Sequence, residues 1–322
     1  MTERNSNTNA DAGYWQEAFY NAYQAGFEAV LQESRDAYAG TTMMDVLQGQ
    51  NKSYDFVGEL NLVEKATRFE DLPLEEALHN RRWMNPRFFR KRIFVDDEDQ
   101  IALLADPTSA YIQAFAKGVI RTKNDVIYAA FDKSVSGGEN PGDDSYTLAD
   151  TVYLAGGAGT GRTIVHDTTN AFAAGGTSTG LTINKLTLAR QALTELHNDP
   201  NQVFNLTISP QQMSDLLREA ETQSIDTNIV RSLHAGTIME YSGFRFITDF
   251  NITKGSSNDI DADTDIYPCF AWAQSGMLFA QHESPIFSID KNIDKQVWQI
   301  SSRVGMNSIR MDEGSVIKIE CA

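Results

Sequence analysis

Apolar residues along this chain change their spacing several times, and each change marks an element. From Tyr14 to about Tyr38 they recur at helical intervals (Trp15, Phe19, Tyr23, Phe27, Val30), which predicts an amphipathic helix with an aromatic face. Residues 1–13 lack such a period and are expected to be disordered. Tyr54-Asp-Phe-Val and Leu60-Asn-Leu-Val read as short strands, followed by a short helix near Leu74–Leu78. An extended two-stranded excursion fits this stretch, with Arg87–Val95 as its return strand. Asp106-Pro107 then sets a capping acid before a first-turn proline. The clearest helix follows, to about Phe131, with Tyr111, Phe115, Val119, Val126 and Ala130 on one stripe. At 1.5 Å per residue its ~25 residues span about 38 Å.

Residues 134–181 hold ten of the 22 glycines, with two apolar runs (Val152-Tyr-Leu and Thr163-Ile-Val) read as a hairpin in long surface loops. A second amphipathic helix is expected from about Asn184 to His197, with Leu186, Ala189, Leu193 and Leu196 on one face. Val203–Ile208 is a strand. Ser209-Pro-Gln-Gln has the form of a capping box with proline at the first helical position, and Met213, Leu216 and Leu217 lie inside the helix it opens. A short helix from Asp226 to Leu233 precedes Ile238–Tyr241 and Phe244–Ile247, which flank Ser242-Gly243 as a two-residue hairpin. The end is all strand: Phe270–Trp272, Met277–Ala280, Ile286–Ile289, a long strand through Trp298, Ile300, Val304 and Met306, then Val316–Ile319 after an Asp312-Glu-Gly turn. The class is mixed α+β.

Charge adds one feature that periodicity does not show. Arg81–Asp99 reads RRWMNPRFFRKRIFVDDED, with six cations (Arg81, Arg82, Arg87, Arg90, Lys91, Arg92), then Ile-Phe-Val, then Asp96, Asp97, Glu98 and Asp99. Trp83 and three phenylalanines lie among them. Exposed ion pairs contribute only about 0–1 kcal/mol each to a monomer. Between copies, one chain's cations meet the next chain's acids, and aromatics supply the dry centre of the contact. These thirteen positions, counting Trp15 and Phe19 of the aromatic segment, are the intersubunit contact candidates.

Composition excludes several classes. Apolar residues are 41% of the 322, enough for a substantial core, and the net charge of −17 opposes extensive phosphate contact. Cys269 and Cys321 are the only cysteines, expected as reduced thiols, with an intersubunit disulfide as the alternative. No apolar run approaches the ~20 residues of a membrane span. Gly156–Thr163 fits a phosphate-binding loop except that Arg162 stands for the lysine, and β-prone residues follow where a helix is required. Asp259–Asp265 alternates acids as a calcium loop does, but Thr264 and Phe270 occupy the glycine and glutamate places. The five histidines are scattered, and no serine-nucleophile signature is present. No catalytic, metal or cofactor site is expected.

In order, these pieces resemble the major capsid proteins of tailed double-stranded DNA bacteriophages, whose fold is shared with herpesvirus shells and encapsulins. The residues that carry the likeness are Arg81-Arg-Trp-Met-Asn-Pro with Val95-Asp-Asp-Glu-Asp, Asp106-Pro-Thr-Ser-Ala-Tyr leading into a helix with Arg121 and Asp125, and the closing stretch from Trp298 to Ile319. The resemblance implies an N-terminal arm (1–50), an extended E-loop region (51–107), a spine helix and peripheral domain (108–200), an axial domain (201–266) and returning peripheral strands (267–322). It also implies hexamers and pentamers on an icosahedral lattice enclosing double-stranded DNA without sequence-specific binding. The implied partners are other copies together with scaffolding, portal and decoration proteins, and the implied place is the virion, assembled in the host cytoplasm. An encapsulin-like nanocompartment shell is the alternative, with a P-loop-like nucleotide-binding protein behind it.

Overall fold

The computed structural model describes residues 35–57, 62, 64, 79–96, 108–148, 163–164, 180–197, 202–223, 240–249, 252, 267–292 and 297–321. The leader, the aromatic segment as far as Ser34, most of the strand expected at 60–63 and the short helix near Leu74–Leu78 lie outside those residues. So do Asp97–Asp99, the run at 152–154, the helix at 226–233 and the acidic loop at 254–265.

In chain order the strands are β1 (Met43–Val46), β2 (Lys52–Val57), β3 (His79–Met84), β4 (Arg87–Asp96), β5 (Val135–Gly137), β6 (Asp144–Tyr146) and β7 (Thr163–Ile164). They continue with β8 (Phe204–Ile208), β9 (Glu240–Tyr241), β10 (Phe244–Thr248), β11 (Tyr267–Trp272), β12 (Met277–Asn292), β13 (Val297–Arg310) and β14 (Val316–Cys321). The helices are α1 (Thr108–Asp132), α2 (Ile183–His197) and α3 (Pro210–Gln223). By mutual contact these residues form two units: one holds Phe88–Lys123 and Glu283–Gly305, the other Asp36–Arg87, Asn124–His282 and Met306–Ala322.

The larger unit is built on a six-stranded sheet in the order β7-β14-β11-β8-β10-β9. β8 and β11 are buried along most of their length, as interior strands covered on both faces must be. Leu186, Ala189 and Leu193 of α2 and Leu216 of α3 pack on the sheet with Phe204, Leu206, Phe244 and Ile317. Leu196, expected on that buried face, is exposed near the helix end. The Gln212 half of the expected capping box is in place. The Gln212 side chain accepts from the Ser209 backbone N–H at 3.2 Å and from its hydroxyl, while the first helical bond runs from Met213 N–H to Ser209 O at 3.1 Å. Ser242 (φ 53°) and Gly243 (φ 81°) form the two-residue turn joining β9 to β10, whose two positive φ values suit the strand twist.

On β11, Phe270 and Trp272 face an aromatic cluster. Phe131 of α1 stacks on Phe270 at 5.0 Å and meets Trp272 at 4.6 Å, with Tyr38 6.0 Å from Trp272. The polar ends of these rings are satisfied: Trp272 Nε1 donates to Thr41 O at 2.9 Å, and Tyr38 OH to Asp249 at 2.5 Å. Cys269, on the opposite face of β11, is fully buried, as is Cys321. The register pairs Tyr267 with Cys321 and Cys269 with Ile319, so the two cysteines are diagonal neighbours on one face. Two free thiols buried inside one subunit remove the intersubunit disulfide. The neighbouring Cys321 and burial push the Cys269 thiol well above its ordinary range. The expected result is no reaction of the native protein with a disulfide reagent at pH 8 and two reactive thiols per chain in denaturant; reaction at the native rate of a free thiol would refute the packing.

A second sheet of this unit, β2-β3-β5-β6, is antiparallel throughout. Its register, Lys52↔Met84 to Val57↔His79, corrects the expected return strand: β2 is answered by His79–Met84 and not by Arg87–Val95. The reason is local. Tyr54, Phe56 and Met84 face one apolar cluster with Leu47 and Val135, while Pro86 cannot donate to a ladder and ends the pairing. In the glycine-rich stretch Thr163–Ile164 is a strand as expected, and its expected partner run at 152–154 lies outside the described residues. Val135–Gly137 and Asp144–Tyr146 form a hairpin, and Thr163–Ile164 pairs in parallel with Lys318–Ile319 of β14.

Past Pro86 the chain enters the sheet β1-β12-β13-β4. Met277–Ala280 and Ile286–Ile289, expected as separate strands, form one 16-residue strand, β12. Pro285 lies beyond the β1 ladder, which spans Leu278–Gln281, so among the described residues that side of the outer half of β12 has no strand to pair with. In the smaller unit Val95, Phe115 and Ile300 form the core, with Ile93, Tyr111 and Trp298 packed against it. Ser288 and Ser301 hydroxyls bond across β12 and β13 at 2.8 Å.

Candidate assembly surface

The charged segment is divided between two strands with different duties. In β3 the side chains alternate, so Arg82 and Met84 point inward and Arg81 and Trp83 point the other way. Arg81 makes a bidentate pair with Asp55, Nε to Oδ1 at 2.6 Å and Nη2 to Oδ2 at 3.1 Å, and lies 5.7 Å from the Trp83 ring. The hydrogen bonds from Arg81 hold the Asp55 carboxyl below the usual carboxylate range. Trp83 Nε1 donates to Gly138 O at 3.0 Å.

Arg82 is a correction. Only 5% exposed, it donates to Arg310 O at 3.0 Å and to Glu313 through both Nη1 (2.6 Å) and Nη2, over the Tyr146 ring at 4.8 Å. A guanidinium held this way serves its own subunit and leaves no charge at the surface for a neighbour.

Arg310, fully buried, is the residue that sequence reasoning missed. Its Nη1 donates to the carbonyls of Phe131 (2.6 Å) and Ala130 (3.4 Å), and its Nη2 to Tyr146 O at 3.2 Å. The last carbonyls of a helix have no partner within it and carry its negative dipole end, and the last turn of α1 contains no basic residue. Arg310 supplies that cation from β13. Burial lowers its pKa, and the Arg82 charge lowers it further, while Glu313 opposes both. A signal was present in the sequence. Ile300, Ser302, Val304, Met306, Ser308 and Arg310 share one alternating set, and all are buried.

β4 is a contrast. Arg87, Arg90, Lys91 and Arg92 are all exposed, Phe88 is 49% exposed, and Arg92 stands 5.0 Å from the Phe94 ring. Three consecutive exposed cations on an alternating strand place positive charge on both of its faces. β4 is also the edge of its sheet among the described residues. Asp96 closes the strand, while Trp15, Phe19, Asp97, Glu98 and Asp99 lie outside the described residues.

The alternatives fare as follows. Thr163, the hydroxyl position of the loop-like motif, begins a strand where a phosphate-binding loop requires a helix. Among the described residues no group of three or more His, Cys, Asp or Glu is placed to hold a metal ion. No helix among them is long and apolar enough to cross a membrane.

Solved structures share this fold. The capsid of Ralstonia phage GP4 aligns with a TM-score of 0.66 at 11% identity, over 93% of this chain and 95% of that one. The capsid of cyanophage P-SCSP1u gives 0.63 at 13%, over 93% and 91%. The acidic stable capsid of Helicobacter pylori bacteriophage KHP30 gives 0.61 at 9%, over 100% and 99%. No curated protein matches. The sequence model of the phage capsid protein family matches residues 16–322, nearly the whole length, and the chain belongs to that family.

Proposed function

We propose that this chain is the major shell-forming subunit of a tailed-phage head, assembling as hexamers and pentamers on an icosahedral lattice around double-stranded DNA. The observation that carries the proposal is the capsid-family correspondence along residues 16–322. As a capsid protein the chain is a virion component. Its net charge of −17 suits a container that encloses DNA without gripping it. The exposed cations of β4 (Arg87, Arg90, Lys91, Arg92) meet a neighbour's Asp96, Asp97, Glu98 and Asp99, with Arg81, Trp83, Trp15 and Phe19 as further contacts. The E-loop is the β2–β3 hairpin and the residues between its strands, a narrower span than 51–107. Residues 1–50 act as an arm, 108–200 as spine and peripheral domain, 201–266 as axial domain and 267–322 as returning peripheral strands. Assembly takes place in the host cytoplasm with scaffolding, portal and decoration proteins, and the subunit performs no catalysis.

Electron microscopy of the purified protein, alone and with its scaffolding partner, is the test. Closed shells of uniform diameter are expected. A protein that stays monomeric at high concentration under both conditions overturns the proposal.

A further inference from the structure

Cys269 and Cys321 are the two cysteines of the chain, and both side chains lie in the same buried cluster of the larger unit. β11 and β14 run antiparallel, with Cys269 opposite Ile319 and Tyr267 opposite Cys321, which sets the two thiols diagonally on one sheet face. The side chains of Cys269 and Cys321 hydrogen-bond to each other. Diagonal neighbours of this kind start roughly 7–8 Å apart between Cα atoms, slightly beyond the span of about 4.4–6.8 Å that a disulfide takes. Closing that difference takes a shift of about an ångström, shared between the two strands.

The surroundings favour the same chemistry. Neighbouring Cys321 and burial raise the Cys269 pKa, but the Lys185 charge and the Ser209 N–H just before α3 act the other way, toward the thiolate. Lys185 is itself fully buried, and its Nζ donates to Glu320 O at 2.9 Å, next to Cys321. On its other side β14 pairs with just the two-residue β7 among the described residues. A strand held so lightly along one edge gains from a covalent tie at its end.

We infer that Cys269 and Cys321 join as a disulfide within one subunit when the shell passes from a reducing to an oxidising compartment. The change of compartment rests on the shell proposal above, whereas the pairing rests on the sheet register. The oxidant is hydrogen peroxide. Cys269, as thiolate, attacks one peroxide oxygen and becomes a sulfenic acid, releasing a hydroxide that takes up the thiol's proton as water. The Cys321 sulfur then attacks the sulfenic sulfur. The S–O bond breaks, and the departing hydroxide takes the Cys321 proton as a second water. Two thiols and one peroxide thus give one disulfide and two waters. Peroxide is close to water in size and enters where a bulky disulfide reagent cannot, so the pair resists that reagent and still responds to peroxide. The bond closes a ring of roughly 50 residues, which restrains the unfolded chain far more than the folded one.

The test uses the full chain, purified with reductant, then freed of it and exposed to hydrogen peroxide, both as subunits and as assembled shells. Copies of heavy and light isotope composition are mixed beforehand. After alkylation in denaturant and tryptic digestion, the expected product joins peptide 255–291 to peptide 319–322, lighter by two hydrogens and with one isotope label throughout. The melting temperature is expected to rise by at least about 5 °C, and a thiol reductant restores the original value. Cys321→Ala is expected to lose this rise and to carry added oxygen on Cys269 instead. Fully alkylated thiols after peroxide, sulfinic acids without a linked peptide, or linked peptides of mixed label overturn the inference, even where the variant fails to fold. Absence of shells, with the linked peptide present in subunits, overturns the shell proposal and leaves the pairing standing.

Discussion

Glu313→Gln is expected to destabilise the subunit by about 3 kcal/mol, read as a lower midpoint in chemical denaturation. Against a typical total of roughly 5–15 kcal/mol this is a large loss. Arg82 is 5% exposed and Arg310 fully buried, and Glu313 is the carboxylate that pairs with Arg82 and opposes the lowering of the Arg310 pKa. Glutamine keeps the shape and an acceptor oxygen but leaves two desolvated cations without that anion. The value sits at the lower end of the range of about 3–5 kcal/mol for breaking a buried pair, because the Glu313 side chain is 18% exposed. A double replacement, Arg82→Met with Glu313→Leu, is expected to recover part of the loss, since it removes the Arg82 charge but leaves Arg310 buried without that anion. A midpoint for Glu313→Gln within about 0.5 kcal/mol of the parent would mean that solvent screens the pair.

Reversing Arg90, Lys91 and Arg92 together to glutamate is expected to cut shell yield more than tenfold with little change in subunit stability. Each of these side chains is exposed on an edge strand, and surface substitutions of this kind usually lie within about ±0.5 kcal/mol for the monomer. In an assembly the same three positions change sign in every copy, so attraction to a neighbour's acids becomes repulsion throughout the lattice. Native assembly is expected to weaken near 1 M salt, where the screening length falls to about 3 Å. Static light scattering gives the yield and thermal melting gives the subunit stability. If melting falls and assembly persists, the cluster serves the subunit fold instead.

Much of the fold is legible in the sequence because its periods are strong. The long helix was expected to end near Phe131 and runs from Thr108 to Asp132; the capping box at Ser209 and the turn at Ser242-Gly243 carry residue types that few other conformations favour. Pairing was harder to read. Alternation says which residues share a face, but not which strand lies alongside, so it suits Arg87–Val95 beside β2 as well as His79–Met84, which takes that place. The same limit hid the parallel partner of the strand at Thr163, which lies on β14 at Lys318–Ile319. Arg82 lies in a run of cations, where composition suggests a solvated face, yet it is buried. Its alternation with Arg81 pointed inward, and the carboxylate that receives it lies 231 positions away. Burial of a charge depends on a partner that local sequence does not name.

That separation also sets an order of events during synthesis. Arg310 closes the last turn of α1 from 179 positions further along the chain, and Glu313 reaches Arg82 across 231 positions. While still on the ribosome, a nascent chain shorter than 313 residues contains Arg82 but not its anion, and strand β14 enters the central sheet only after residue 316 emerges. At roughly 5–20 residues per second, the 231 positions between Arg82 and Glu313 take about 12–46 seconds to synthesise, and through that interval Arg82 is without its anion. A polypeptide stopped before residue 313 lacks both the carboxylate that holds Arg82 and the strand that completes the central sheet.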